Sequence, residues 1–80
     1  MQITVYDKPG CVQCKATEEW LTRKGIPYTA VDVTASDDDY RACLALGYQQ
    51  LPVVVVSTGV TGGDVHWSGY RPDRLAEHTN

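Results

Sequence analysis

The 80-residue chain lacks the features that mark several classes of protein. It contains no run of about 20 apolar residues, the length that a membrane-spanning helix needs, and no repeat or low-complexity tract. Its 7 lysines and arginines against 10 acidic residues form no basic stripe that could neutralise a row of phosphates. These absences argue against a membrane protein, a repeat protein and a nucleic-acid-binding protein. The length predicts a single domain over residues 1–80.

Cysteine is also scarce, with three residues in the chain. An odd number does not suit the paired disulfide framework of a small secreted protein. No secretory signal precedes the first apparent strand. We therefore expect a cytoplasmic protein, in a compartment that keeps thiols reduced, and we expect it to act as a monomer.

The hydrophobic pattern alternates short strands and helices. Alternating or β-branched residues predict strands over residues 2–6, 29–33, 53–56 and 64–67. Helical spacing predicts helices from Val12 to Lys24, over residues 36–46, and from Pro72 to Leu75. Ser36 is expected to cap the second helix and Gly47 to follow its last turn. The order β-α-β-α-β-β-α, with a right-handed parallel β-α-β unit first and a hairpin last, predicts a four-stranded mixed sheet with helices on both faces. This is an α/β fold of the thioredoxin type.

The most informative motif is Cys11-Val12-Gln13-Cys14, where the first strand leads into the first helix. Cys11 is expected at the helix N-terminus, where unpaired N–H groups and the helix dipole favour an anion. The pKa of its thiol should therefore fall, because the thiolate is an anion. Cys14, one turn further on, is close enough to form a disulfide. The motif predicts thiol–disulfide exchange, in which Cys11 attacks a partner disulfide and Cys14 resolves the mixed disulfide.

A zinc site is an alternative, because a Cys-x-x-Cys pair is half of many such sites. The other candidate ligands are Cys43, His66 and His78, and none of them belongs to a second tight pair. We expect Cys43 to share a buried face of the second helix with Tyr40, Leu44 and Gly47. His66 is expected to face solvent from its strand, and His78 has no assigned function.

Two further residues are expected beside the dithiol. Lys8, in the turn before the motif, is better placed than Lys15 to lower the pKa of Cys11. In this topology the loop before the third strand lies next to the start of the first helix, so Pro52 is the second candidate. The sequence alone leaves open whether the Leu51–Pro52 bond is cis.

Three segments together resemble the NrdH redoxins, small glutaredoxin-like proteins that behave as thioredoxins. The segments are Cys11-Val12-Gln13-Cys14, Gly47-Tyr48-x-Gln50-x-Pro52-Val53-Val54-Val55 and Trp67-Ser68-Gly69-Tyr70-Arg71-Pro72-Asp73. The resemblance covers nearly the whole chain, and the third segment is specific to the family. It implies a thioredoxin fold and a dithiol electron donor to the large subunit of class Ib ribonucleotide reductase. It also implies re-reduction by NADPH through thioredoxin reductase, with no bound cofactor.

Carried over residue by residue, the resemblance makes Cys11 the nucleophile and Cys14 the resolving thiol. Pro52 becomes the cis-proline, and Trp67, Ser68 and Gly69 become the loop that shapes the surface beside the dithiol. The predicted partner-binding residues are Val12, Gln13, Leu51, Pro52, Trp67, Ser68 and Gly69.

Glutathione-dependent glutaredoxins usually carry Cys-Pro-Tyr-Cys and a Gly-Gly-x-Asp-type segment after the last strand. Here Trp-Ser-Gly-Tyr takes that place, and the run Gly62-Gly63-Asp64 falls in the hairpin turn before the last strand. Glutathione use is therefore disfavoured, although a glutathione-dependent glutaredoxin and a general protein disulfide reductase remain alternatives. The chain departs from the family at Tyr70, where Phe is common, and at Leu51, where Ala is often found.

Overall fold

The computed structural model describes residues 1–59 and 63–79. The elements in these residues are β1 (Gln2–Asp7), α1 (Val12–Arg23), β2 (Thr29–Asp32), α2 (Asp37–Ala45), β3 (Val53–Ser57), β4 (Val65–Ser68) and α3 (Pro72–Thr79). This order confirms the sequence-based prediction. No helix in this part of the chain has the length and apolar character that a membrane span requires.

The strands form one mixed sheet in the order β2-β1-β3-β4. β1 runs parallel to β2, with Val5 opposite Ala30, and antiparallel to β3, with Val5 opposite Val54. β3 and β4 are antiparallel, with Val54 opposite Trp67. The predicted thioredoxin-type sheet is confirmed. The turn that the sequence predicts between β3 and β4 includes residues 60–62, which lie outside the described residues.

The core occupies both faces of the sheet. On one face, α1 and α3 supply Leu21 and Leu75, which pack against alternate residues of the strands, namely Ile3, Val5, Val54, Val56 and Trp67. On the other face, Cys43 of α2 packs against Val33 and Val53. Alternate residues of β3 therefore serve opposite faces, as the two-residue period of a strand requires.

Both ends of α2 are capped by hydrogen bonds. Ser36 is the N-cap, and its Oγ accepts a hydrogen bond from the Asp39 N–H at 3.4 Å. At the other end Gly47 has φ +92°, a conformation that favours glycine. The Gly47 N–H donates to Leu44 O at 2.9 Å and the Tyr48 N–H donates to Cys43 O at 3.2 Å. These bonds close the helix and start the loop that leads to Pro52.

Two sequence-based expectations for the helices need correction. Tyr40 and Leu44 are 50% and 41% exposed. Of the residues predicted to be buried on α2, Cys43 is the one that the structure buries. Side chains of the sheet and of the following loop, Tyr6, Tyr48, Leu51 and Val55, fill the rest of that face. α3 continues beyond Leu75 to Thr79 because Leu75 and Thr79, one turn apart, are both buried.

Candidate active site

Cys11 and Cys14 lie at the start of α1. Cys11 is the N-cap, with the extended backbone angles φ −86° and ψ 108°. Its Sγ accepts a hydrogen bond from the Cys14 N–H at 3.1 Å, and its carbonyl oxygen accepts one from the Lys15 N–H at 3.1 Å. The Cys11 sulfur therefore accepts a hydrogen bond from a free N–H group of the first helical turn, as the side-chain oxygen of a Ser, Thr or Asp N-cap does in other helices.

The two cysteines form a disulfide and have Cα atoms 5.2 Å apart, a usual separation for a disulfide. They differ in accessibility. Cys14 is 2% exposed, whereas the Val12 side chain next to Cys11 is 82% exposed, and Cys11 itself is half-buried. A macromolecular partner therefore reaches the Cys11 end of the disulfide first.

The loop before β3 contacts the disulfide directly. The Leu51–Pro52 peptide bond is cis, which answers the question that the sequence left open. Leu51 O lies 3.8 Å from Cys11 Sγ, and Pro52 is buried. A thiol at Cys11 could donate to this carbonyl in the reduced protein.

The segment after β4 lies against both of these parts. The Gly69 N–H donates to Pro52 O at 2.8 Å, and the Tyr70 N–H donates to Gln13 Oε1 at 2.9 Å. Gly69 has φ +85°, and a Cβ at this position would lie 3.2 Å from Gln13 Oε1. The three segments that carry the family resemblance thus meet at one place.

The structure corrects the predicted loop at Trp67. Trp67 and Ser68 are the last residues of β4, and the loop begins at Gly69. Trp67 is 4% exposed within the larger core cluster, where its ring stacks on His78 with centroids 5.8 Å apart. Arg74 Cζ lies 5.5 Å from the same ring. The indole therefore belongs to the core and does not form the surface of the site.

A groove of 290 Å³ runs along the dithiol and α1. Lys8 and Lys15, the two lysines that the sequence placed beside the motif, both border it and are both exposed. The assignment of Lys8 as the residue that lowers the pKa of Cys11 stays a prediction. The complete lining is Asp7, Lys8, Gly10, Cys11, Val12, Cys14, Lys15 and Glu18.

Asp7 and Glu18 are site residues that the sequence-based reasoning missed. Burial, and then the hydrogen bond and charge of Asp7, raise the pKa of Glu18 to about 7. Glu18 Oε2 is shielded from solvent and has no N–H or O–H partner among the described residues. The four-residue spacing of Cys14 and Glu18 was the available signal, but the approach of Asp7 depends on how α1 packs on β1.

The remaining candidate ligands have other surroundings. Cys43 is buried, and its burial, with the nearby Asp39 charge, raises the pKa of its thiol. His66 is not simply solvent-facing, because the Tyr48 hydroxyl lies 2.8 Å from its Nδ1 and donates to its carbonyl oxygen at 3.2 Å. Within residues 1–59 and 63–79, no group of three His, Cys, Asp or Glu side chains could hold a metal ion.

A thioredoxin-type sheet with a Cys-x-x-Cys disulfide at the start of α1 defines a class, the thiol–disulfide oxidoreductases. Residues 3–60 match the glutaredoxin family. The chain is 37% identical over 75 residues to the glutaredoxin-like protein NrdH of Escherichia coli (strain K12), covering 94% of this chain and 85% of that protein. It is 39% identical over 75 residues to NrdH of Salmonella typhimurium (strain LT2), with the same coverage. The chain therefore belongs to the glutaredoxin family.

Comparison with solved structures supports the same family assignment. The glutaredoxin-like protein NrdH-redoxin from Escherichia coli, which is described as having a thioredoxin-like activity profile, superposes with a TM-score of 0.88 at 32% identity. The match covers 100% of this chain and 97% of that one. The predicted resemblance to NrdH redoxins is confirmed, and the protein is a glutaredoxin-like redoxin with a Cys11–Cys14 pair.

Proposed function

We propose that the protein is a dithiol electron carrier that reduces class Ib ribonucleotide reductase and is re-reduced by thioredoxin reductase. The main support is the hydrogen bond from the Tyr70 N–H to Gln13 Oε1, which joins the family-specific segment to the Cys-x-x-Cys motif. The thioredoxin-like activity profile of the similar NrdH-redoxin from Escherichia coli also favours thioredoxin reductase over glutathione. In this proposal the protein acts as a single-domain monomer.

The reaction begins at Cys11 of the reduced protein. Its thiolate attacks one sulfur of the partner's disulfide, so a Cys11–partner disulfide forms and the partner's other sulfur leaves as a thiolate. The Cys14 N–H, 3.1 Å from Cys11 Sγ, stabilises the negative charge on Cys11 before the attack.

Cys14 completes the transfer. Its sulfur attacks Cys11 Sγ, the bond between Cys11 and the partner breaks, and the partner's second sulfur leaves as a thiolate. The partner has then gained two electrons and, after protonation, two protons, while the redoxin has become the Cys11–Cys14 disulfide. Thioredoxin reductase returns two electrons from NADPH. The dithiol itself carries the electrons, so the proposal includes no bound cofactor.

The partner is proposed to dock on the surface around Cys11. Val12 offers an exposed apolar side chain there, and Leu51 and Ser68 border the site half-buried. Gln13 holds the loop that begins at Gly69. Pro52 and Trp67 are buried, and they would support this surface rather than touch the partner.

The test is a reconstituted assay with NADPH, thioredoxin reductase, this protein and a class Ib ribonucleotide reductase. Deoxyribonucleotide formation should depend on this protein and should be lost with Cys11→Ser, which removes the attacking thiol. Cys43→Ser is the matched control, because it removes a thiol outside the proposed reaction. Turnover that survives Cys11→Ser, or no turnover with the wild-type protein, would contradict the proposal.

A further inference from the structure

Two carboxyl groups border the same groove as the dithiol. Asp7 ends β1, and Glu18 lies on α1 four residues beyond Cys14. This spacing places Cys14 and Glu18 on one face of the helix, with Cβ atoms on the order of 5–6 Å apart. The groove therefore brings a carboxyl pair to the cysteine that resolves the mixed disulfide.

The pair is suited to holding a proton. Glu18 Oε2 is shielded from solvent and has no N–H or O–H partner in the described part of the chain. Two carboxyl groups form a hydrogen bond with each other only when they share a proton. Burial and Asp7 together raise the pKa of Glu18 to about 7, and a group that titrates near the ambient pH transfers protons in both directions most effectively.

We propose that Glu18 accepts the proton of the Cys14 thiol when Cys14 attacks the mixed disulfide, and that Asp7 positions Glu18 for this transfer. The inference rests on the proposed dithiol function. The proton moves from Cys14 Sγ through water in the groove to the Glu18 carboxylate as the Cys14–Cys11 bond forms. The bond from Cys11 to the partner breaks, and the partner sulfur leaves with its electron pair. When a reductase later opens the disulfide, Glu18 returns the proton to Cys14.

Charged and titratable groups of α1, of β1 and its turn, and of the segment before β2 line the two grooves that Glu18 borders. They are Asp7, Lys8, Lys15, Glu19, Arg23 and Tyr28. Lys8, Lys15, Glu19 and Arg23 are exposed, so water and salt screen their charges. Asp7 is the only one of these groups that contributes to the raised pKa of Glu18. Its removal should therefore change the titration of Glu18 most.

The test follows the reaction of the reduced protein with dithiobis(nitrobenzoate) by stopped flow. The first nitrothiobenzoate is released when Cys11 attacks the reagent, so its rate rises with reagent concentration. The second is released when Cys14 attacks the Cys11 mixed disulfide, so its rate does not depend on reagent concentration. Cys14→Ser identifies this second phase by abolishing it.

Glu18→Gln should slow the second phase about tenfold near pH 8, less than the roughly 10²–10⁴-fold that general base catalysis supplies, because an ordinary thiol already ionises in part at this pH. The first phase should be unchanged. At higher pH, hydroxide removes the Cys14 proton and the variant should approach the wild-type rate. Glu19→Gln removes the same charge from an exposed position on the same helix and should match the wild type. Asp7→Asn should move the inflection of the wild-type pH–rate profile to lower pH.

A second phase that is unchanged or faster in Glu18→Gln would overturn the inference. A faster phase is the result expected if the Glu18 carboxylate only repels the Cys14 thiolate. An inflection that Asp7→Asn leaves in place would also overturn the positioning role of Asp7. Failure of the proposed function is read in the reconstituted reductase assay instead, where the wild-type protein would support no turnover while both phases with dithiobis(nitrobenzoate) remained.

Discussion

Gln13 Oε1 accepts a hydrogen bond from the backbone N–H of Tyr70 at 2.9 Å, between residues 57 positions apart in the sequence. One of the two residues between the cysteines is thereby bound to the loop after β4. A second bond, from the Gly69 N–H to Pro52 O at 2.8 Å, joins the same loop to the cis-proline. The surface around Cys11 is therefore one connected unit, and substitutions in any of its three parts should affect the others.

Gln13→Ala should weaken this unit. Loss of the side-chain acceptor leaves the Tyr70 N–H unpaired, which should lower the free energy of unfolding by about 1 kcal/mol. It should also lower kcat/KM with thioredoxin reductase several-fold. Gln13→Glu keeps an acceptor oxygen and should retain more activity than Gln13→Ala. Gln2→Ala, an exposed glutamine of β1, is the control, and an equal effect of Gln2→Ala and Gln13→Ala would refute the role of the bond.

Gly69→Ala tests the close approach at the same point. Gly69 and Gly59 have similar positive φ values, +85° and +82°, but only a Cβ at Gly69 meets a neighbour, Gln13 Oε1 at 3.2 Å. Both alanine variants should suffer the backbone penalty of roughly 1–2 kcal/mol, and Gly69→Ala should cost more. Chemical denaturation measures both. In a Gln13→Ala background the additional cost at Gly69 should disappear, and a cost that persists there would exclude the Gln13 contact as its cause.

The unequal burial of the two cysteines predicts an order of attack. Cys14→Ser should trap mixed disulfides with thioredoxin reductase through Cys11, because the resolving sulfur is absent. Cys11→Ser should trap little, because Cys14 is 2% exposed. Non-reducing gels with mass spectrometry of the linked peptides give the measurement. Equal trapping by the two variants would show that the assigned roles are wrong.

Glu18 should make stability depend on pH. Its pKa is raised from 4.5 in the unfolded reference to about 7 in the folded protein, so the folded state binds the proton more tightly. The resulting stabilisation is complete below about pH 4.5 and is lost as the pH rises through 7. Glu18→Gln has no carboxyl group at this position, so its stability does not fall with the deprotonation of residue 18.

Because solvent screens part of the interaction, the gain of Glu18→Gln over the wild type between pH 5 and pH 8 should be on the order of 1 kcal/mol. This corresponds to a difference in Tm of roughly 4–8 °C for a domain of this size. Thermal unfolding of both proteins at the two pH values measures it, with Glu19→Gln as the control. Parallel changes in all three proteins would contradict the assignment to Glu18.

Local sequence signals were sufficient for the order of the elements and for several of their ends. Ser36 and Gly47 bound α2, and Cys11 stands at the start of α1, because caps depend on a few neighbouring residues. The burial of Trp67 was harder to predict. The family resemblance assigned Trp67 to a loop, whereas the two-residue period of β4 places its side chain in the core.

Features that depend on tertiary packing could not be predicted. The Gln13–Tyr70 bond joins distant segments, and the approach of Asp7 to Glu18 depends on the placement of α1 on the sheet. The exposure of Tyr40 and Leu44 likewise depends on how far α2 covers its face. In each case the spacing of residues shows which side chains share one face of a helix or strand. It does not show which other parts of the protein pack against that face.

The most direct test of the central claim compares two sources of electrons. NADPH oxidation is followed with the disulfide form of this protein and either thioredoxin reductase or glutathione with glutathione reductase. We predict efficient reduction by thioredoxin reductase, little by the glutathione system, and loss of the reaction in Cys11→Ser. Efficient reduction by glutathione, with none by thioredoxin reductase, would contradict the proposed function and favour a glutathione-dependent glutaredoxin.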